Sequence, residues 1–99
     1  MYKTIACGEL DIGQTGKNVT LAGWVNRRRD HGGLIFIDLR DSSGLVQVVF
    51  NPNEYPASHK VAEQFRNEWV IQVSGLVRSR PLGTENPDMF TGSLEVVAT

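Results

Sequence analysis

The sequence holds a single cysteine, Cys7, and no pair of cysteines or histidines at the spacing that zinc sites use. One thiol cannot form an internal disulfide, so a disulfide framework and a structural zinc site are both excluded. We therefore expect Cys7 to be a small buried or half-buried apolar residue, and we expect no metal site.

Long apolar runs are also missing. None approaches the roughly 20 residues that span a bilayer, and the N-terminus lacks the hydrophobic stretch of a signal peptide. These absences predict a cytoplasmic chain with no membrane contact. The 99 residues leave room for one domain, and the 40% of hydrophobic residues argue against disorder.

The sequence has no excess of positive charge. Ten Lys and Arg residues stand against eleven Asp and Glu residues, which gives a formal net charge of −1. Domains that bind nucleic acid without base preference are usually strongly basic. Net charge alone therefore argues against that class of protein.

Motifs of catalysis are absent as well. The chain contains no Gly-x-Gly-x-x-Gly, no P-loop and no recognisable Ser/His/Asp or Cys/His arrangement. Asp38, Arg40 and Asp41 alternate in sign along one strand, a pattern typical of surface ion pairs. The sequence thus predicts no catalytic residue and no cofactor site in this chain.

What the sequence does contain is a succession of short strand patterns. Ile35, Ile37 and Leu39 fall on one face of the second predicted strand, and this leaves Phe36 on a mostly polar face. Gly23, inside the first strand, is typical of a bend or bulge. The five predicted strands are Asn18–Asn26, Leu34–Arg40, Leu45–Asn51, Trp69–Arg80 and Ser93–Thr99.

A helical pattern interrupts the strands after the third. Pro56–Glu68 begins with proline and places Val61, Ala62 and Phe65 at helical spacing. Five strands with a helix between the third and fourth match the OB-fold, a small Greek-key barrel that binds oligonucleotides or oligosaccharides. We favour this all-β barrel over a five-stranded SH3-like barrel because of the helix.

Several residues on the predicted barrel suit RNA. Arginine forms paired hydrogen bonds with phosphate and stacks on bases, and Phe36 offers a stacking surface. Gln47 offers one donor and one acceptor to a uracil edge, while Glu95 offers acceptors to a cytosine amino group. Each alone has an ordinary structural explanation, but together they describe a single-stranded RNA site. The arginines concerned are Arg27, Arg28, Arg29, Arg78 and Arg80.

A family resemblance is carried by two neighbouring stretches, Gly23–Asp41 and Gly44–Phe50. The first begins with Gly-Trp-Val-Asn-Arg-Arg-Arg-Asp-His-Gly-Gly. They resemble the N-terminal anticodon-binding domain of bacterial aspartyl-tRNA synthetases. The resemblance extends from about Cys7 to Val96. It implies that residues 1–99 form one anticodon-binding domain, and that a longer synthetase carries the class II catalytic domain.

The resemblance also implies roles for the candidate residues. Phe36 would stack on an anticodon base, Gln47 would read the central U, and Arg29 with Glu95 would help to read the terminal C. Arg78 and Arg80 would lie close to the RNA backbone or the anticodon bases. Since neighbouring residues in a strand point to opposite faces, one of Arg27, Arg28 and Arg29 must point away.

Further implications concern specificity and cofactors. The sequence around His31 leaves open whether this residue acts as a base, a ligand or a contact residue. His31 together with Gly83 resembles the residue pattern of synthetases that charge both tRNA-Asp and tRNA-Asn. The parent enzyme would use ATP and Mg²⁺ and would be a homodimer, whereas the isolated domain would be a monomer without catalysis. Phe65-Arg66-Asn67-Glu68 matches a class II ATP-binding pattern only by chance, because no other class II motif accompanies it.

Two other classes of function remain open at this point. A free-standing OB-fold protein that binds single-stranded nucleic acid would bind any pyrimidine-rich strand with similar affinity. A structural domain whose arginines contact an acidic protein would show no salt-dependent RNA binding.

Overall fold

The computed structural model describes residues 4–10, 12–80 and 94–99. Two short 3-10 turns, Cys7–Glu9 and Ile12–Gln14, precede the first strand. The strands close into a barrel in the order β1-β2-β3-β5-β4, with one helix, α1, between β3 and β4. This confirms the predicted OB-fold architecture. The elements are β1 Asn18–His31, β2 Leu34–Asp41, β3 Gly44–Phe50, α1 Pro56–Ala62, β4 Val70–Ser79 and β5 Leu94–Ala98.

The alternation of apolar residues explains how the barrel fills. Ile35, Ile37 and Leu39 of β2 are all buried, as the pattern predicts, and pack with inward residues of the other strands. Cys7 is fully buried in the same core, in agreement with its predicted role as an apolar residue. Among the described residues, no helix has the length and apolar character needed to cross a membrane.

β1 is longer than predicted, and it contains an irregularity that the sequence does not reveal. The ladder with β2 pairs Val25 with Leu39 and then Arg27 with Asp38, so Asn26 is an extra residue. An extra residue of this kind reverses which side chains face inward. Val25 lies opposite an inward residue, and Arg27 lies opposite an outward one. The bulge is thus at Asn26 rather than at Gly23, whereas Gly23 packs against the Arg40 carbonyl, next to the point where β1 passes from pairing with β4 to pairing with β2.

The helix is shorter than predicted and ends at Ala62 rather than Glu68. Ala62 is buried and Phe65 packs partly against the core, but Val61 is 57% exposed, so its assignment to the apolar face is wrong. The chain then reaches β4 through Glu68, which has a φ of 72°. Glu68 lies in the turn before β4, beyond the end of α1, and its left-handed backbone redirects the chain into the strand.

Asp41 is not the surface ion-pairing residue that the alternation of charges indicates, because it is buried and caps two turns. Its Oδ1 accepts hydrogen bonds from the Ser43 amide at 2.8 Å, the Ser43 hydroxyl at 2.5 Å and the Gly44 amide at 3.2 Å. Its Oδ2 accepts from the Cys7 amide at 2.8 Å. Burial alone would raise the pKa of Asp41, but the hydrogen bonds from Ser43 and Cys7 outweigh it and hold the pKa below the ordinary value.

We predict that Asp41→Asn destabilises the domain by about 1 to 3 kcal/mol at pH 7, because an amide offers one acceptor oxygen to donors on both sides. A carboxyl whose pKa is depressed in the folded state stabilises above its unfolded pKa, and this contribution disappears as pH falls below about 4. Urea unfolding from pH 7 to pH 2.5 should show the difference in stability between the two proteins shrinking toward the acid end. Glu54→Gln, at an exposed carboxylate, is the control. A difference that stays constant with pH would contradict this account.

Candidate nucleic-acid interface

An open groove of about 380 Å³ lies on the outer side of the barrel. Arg29 and His31 come from β1, Phe36 from β2 and Gln47 from β3, and Arg80 follows β4 directly. We call this surface the outer groove. Its lining consists of Arg29, Asp30, His31, Phe36, Gln47 and Arg80.

Phe36 and Arg29 form the first contact of the groove. They are direct neighbours across the β1–β2 ladder, and the Arg29 guanidinium carbon lies 5.7 Å from the centre of the Phe36 ring. A cation over an aromatic face is attracted by the ring quadrupole. The Arg29 Nη2 also donates to Asp38 Oδ1 at 3.4 Å. The aromatic face and the cation are therefore held together on the outward side of β2, where the sequence places Phe36.

Gln47 connects this contact to β5. Its Oε1 accepts from Arg29 Nη2 at 2.9 Å, and its Nε2 donates to Glu95 Oε1 at 3.0 Å. Guanidinium only donates and carboxylate only accepts, so the two neighbours define which way the amide faces. An amide has two N–H groups and two acceptor lone pairs, and these bonds use one of each. A buried Gln47 with a set orientation can thus still offer a donor and an acceptor to a base edge.

Glu95 and Arg78 continue the network. They are cross-strand partners of β5 and β4, and Arg78 Nε donates to Glu95 Oε2 at 2.7 Å. The Glu95 side chain is only 3% exposed, whereas that of Arg78 is 38% exposed. The structure therefore brings Arg29, Gln47, Glu95 and Arg78 into one hydrogen-bonded chain. Sequence reasoning selected these four residues without showing that they touch.

Arg80 lies at the end of this network and is buried. Its Nε donates to the Leu94 carbonyl at 3.0 Å. Burial lowers the pKa of the Arg80 guanidinium, while the nearby carboxylates of Glu95 and Asp38 act in the opposite direction. Arginine stays protonated at neutral pH despite such a shift. The groove wall accordingly carries a partly desolvated positive charge.

Arg28 is the member of the arginine run that points away from the groove. Its Nη1 donates to the carbonyls of Ala62, Glu63 and Phe65 at 3.2, 2.9 and 2.9 Å. Its Nε and Nη2 bind both oxygens of Asp30, at 2.9 and 3.0 Å. Arg28 therefore does not line the groove that contains Arg29. Arg27, exposed and opposite Asp38, shares its strand face with Arg29.

Of the two residues expected to set specificity, His31 and Gly83, the structure describes only His31. His31 is exposed, ends β1 and lines the outer groove. Gly83 lies outside the described residues. Sequence reasoning missed Asp30, which lines the groove and binds Arg28; no motif distinguishes it from other charged strand ends.

The comparisons with known proteins identify the family of the chain. A family model described as an OB-fold nucleic acid binding domain matches residues 19–99. The chain belongs to this family. The OB-fold domain is also 62% identical over 98 residues to an aspartate–tRNA(Asp/Asn) ligase of Moorella thermoacetica, covering 99% of this chain and 16% of the ligase.

Two further relatives extend the comparison. An aspartate–tRNA(Asp/Asn) ligase of Desulfosudis oleivorans is 54% identical over 99 residues, which are 100% of this chain and 17% of that ligase. The crystal structure of asparaginyl-tRNA synthetase from Pyrococcus horikoshii superposes with a TM-score of 0.81 at 30% identity, covering 99% of this chain and 22% of that chain. The OB-fold domain thus spans about a sixth of the length of the curated relatives it matches.

We predict that Glu95→Gln destabilises the domain by about 1 to 3 kcal/mol, because the amide would turn its NH₂ group toward one of two donors, Gln47 or Arg78. Chemical denaturation measures the loss. Glu63→Gln, at a side chain that is 59% exposed, is the matched control and should change stability by less than about 0.5 kcal/mol. Equal effects of the two substitutions would show that the buried network contributes nothing.

Proposed function

We propose that this OB-fold domain recognises the tRNA anticodon for an aspartate–tRNA ligase, and that the outer groove binds the single-stranded bases. The observation that carries the proposal is that Arg29 contacts both the Phe36 ring and the Gln47 amide, and that all three side chains line one open groove. Stacking on an aromatic side chain and hydrogen bonds to base edges are how proteins read unpaired RNA bases. The identity to named ligases, 62% and 54%, supports the assignment of the parent enzyme.

The roles of the residues follow from the groove and the family resemblance. Phe36 stacks on an anticodon base, and Gln47 offers its remaining donor and acceptor to the central U. Arg29 and Glu95 contribute to reading the terminal C; two of the four acceptor positions of the Glu95 carboxylate are used by Gln47 and Arg78. Arg78 and Arg80 place positive charge near the RNA backbone or the bases.

The near-neutral net charge fits this function better than it fits a general RNA binder. Phosphate contacts give affinity without sequence information, whereas base contacts specify. Of the basic side chains, Arg29 and Arg80 line the groove, but Arg28 is engaged with the end of α1. Arg29 and Arg78 are themselves paired with carboxylates, Asp38 and Glu95, and the groove therefore offers hydrogen-bonding groups rather than a large excess of positive charge.

Catalysis belongs to the rest of the proposed parent, a cytoplasmic homodimer that attaches aspartate to tRNA with ATP and Mg²⁺. The described residues of this chain hold no group of three or more acidic, histidine or cysteine side chains that fits a metal ion. Arg66, in the segment that imitates an ATP motif, donates to the carbonyls of Gln64 and Phe65 at 3.2 and 3.3 Å. The residues present do not fit an ATP site, so no chemical step is assigned to this chain. We propose residues 1–99 as the non-catalytic anticodon-binding domain.

The central test uses anticodon stem-loops in which single bases are exchanged. Phe36→Ala should weaken binding of the U-C stem-loop by about 1 to 3 kcal/mol, because it removes a stacking surface. Gln47→Ala should mainly remove the preference for U at the central position. Fluorescence anisotropy measures the dissociation constants. Trp69→Ala is the matched control, since Trp69 is an exposed aromatic residue, 47% exposed, outside the groove lining.

The outcomes separate the alternatives. Similar affinity for every pyrimidine-rich strand would favour a general single-strand binder, and binding that is absent at low salt would favour an acidic protein as partner. Equal losses for Phe36→Ala and Trp69→Ala would show that the groove is not the RNA site.

We further propose that the parent accepts both tRNA-Asp and tRNA-Asn. The names of the relatives include both tRNAs, and His31 lines the groove. Stem-loops ending in U-C and U-U should then bind with similar affinity. Strong rejection of U-U would count against this specificity while leaving anticodon recognition intact.

A further inference from the structure

The tip of the β1–β2 hairpin carries most of the outer groove, yet it has limited support from the sheet. β1 pairs with β4 only over Asn18–Trp24, while its pairing with β2 continues to His31. Beyond Trp24, Val25 still exchanges hydrogen bonds with Glu68 and Trp69. For residues 26–31, no described strand pairs with this edge of β1. The hairpin end that holds Arg29 and His31 therefore needs another contact to have a defined position.

Two side chains, one on the hairpin and one on α1, supply that contact. Arg28 reaches from the hairpin to the end of α1 and the turn after it, where it donates to the carbonyls of Ala62, Glu63 and Phe65. Carbonyls at the end of a helix lack partners within the helix, and a cation is favoured there. The Arg28–Asp30 pair, both groups on the hairpin, keeps the guanidinium extended in this direction.

The second side chain reaches the hairpin from the opposite direction. His59 of α1 places Nε2 2.8 Å from the carbonyl oxygen of Gly33, in the turn between β1 and β2. A carbonyl only accepts, so Nε2 carries the proton in this hydrogen bond. Gly33 has a φ of 85°, and Gly32 has a φ of 59°. A turn made of two glycines in the left-handed region is readily deformed, and a hydrogen bond to it restricts the turn.

We infer that Arg28 and His59 form a brace between α1 and the β1–β2 hairpin that positions Arg29, His31 and Phe36 for the anticodon, and that Arg28 itself makes no contact with RNA. This inference rests on the proposed function for its RNA readout. The brace itself is a property of the free domain. Arg28 and His59 are positioning residues that act through the groove residues.

Salt dependence of RNA binding distinguishes positioning from direct phosphate contact. Removal of one phosphate contact reduces the slope of log K against log salt by about 0.7 for a single strand. Arg28→Ala should weaken U-C stem-loop binding on the order of tenfold at every salt concentration with an unchanged slope. Lys60→Ala, at an exposed position of α1 outside the groove lining, is the charge-matched control and should leave both affinity and slope unchanged. A slope that falls by about 0.7 in Arg28→Ala would overturn the inference, and so would unchanged affinity.

Amide hydrogen exchange of the free domain tests the brace without RNA. His59→Leu should accelerate exchange at residues 29–34, whereas His59→Gln, which retains a side-chain N–H for the Gly33 carbonyl, should accelerate it less. Arg28→Ala should accelerate exchange of the same amides. If that variant does not fold, the His59 variants still test the brace. Unchanged exchange in His59→Leu would overturn the brace. A domain that shows the brace but no base preference would refute only the proposed function.

Discussion

One extra residue in β1 determines how the functional surface of this domain is built. Up to Val25 the odd-numbered residues of β1 face the core, and the ladder then skips Asn26. Because side chains alternate along a strand, the skip sends Arg27 and Arg29 outward and Arg28 toward the other side. A regular strand with the same sequence would place Arg28 outward, in the position where Arg29 now lies over Phe36. The bulge thus assigns two identical side chains to two different tasks.

Those two tasks support each other. Arg29 joins Phe36, Asp38 and Gln47 on the groove side, and the network continues to β5 and β4 through Glu95 and Arg78. Arg28 occupies the carbonyls at the end of α1, so the hairpin is connected to the helix on its other side. The insertion of a helix between β3 and β4 therefore does more than cover the core. It gives the end of the hairpin a rigid neighbour, and the groove receives a defined geometry before any ligand arrives.

The sequence predicts the strand order, the helix and most of the groove because these depend on local alternation. Phe36 stands out as an aromatic residue on a polar face, and Gln47 lies on the same side, two positions from Val49, the ladder partner of Phe36. The bulge leaves no comparable signal, since Asn26 has no side-chain feature that marks an extra residue. The early helix end and the burial of Asp41 depend on contacts between distant segments, Arg28 with Phe65 and Asp41 with Cys7. Such contacts arise from tertiary structure, which periodicity does not contain.

The division of work between Arg28 and Arg29 is tested most directly in the unmodified domain, by following arginine side-chain N–H signals in a ¹⁵N NMR titration with a U-C anticodon stem-loop. Signals of Arg29 and Arg78 should shift as RNA is added, because their hydrogen-bonding environment changes in the groove. The Arg28 Nε signal should keep its position, since its partners are Asp30 and the end of α1. A large shift of the Arg28 signal, with Arg29 unaffected, would contradict the account.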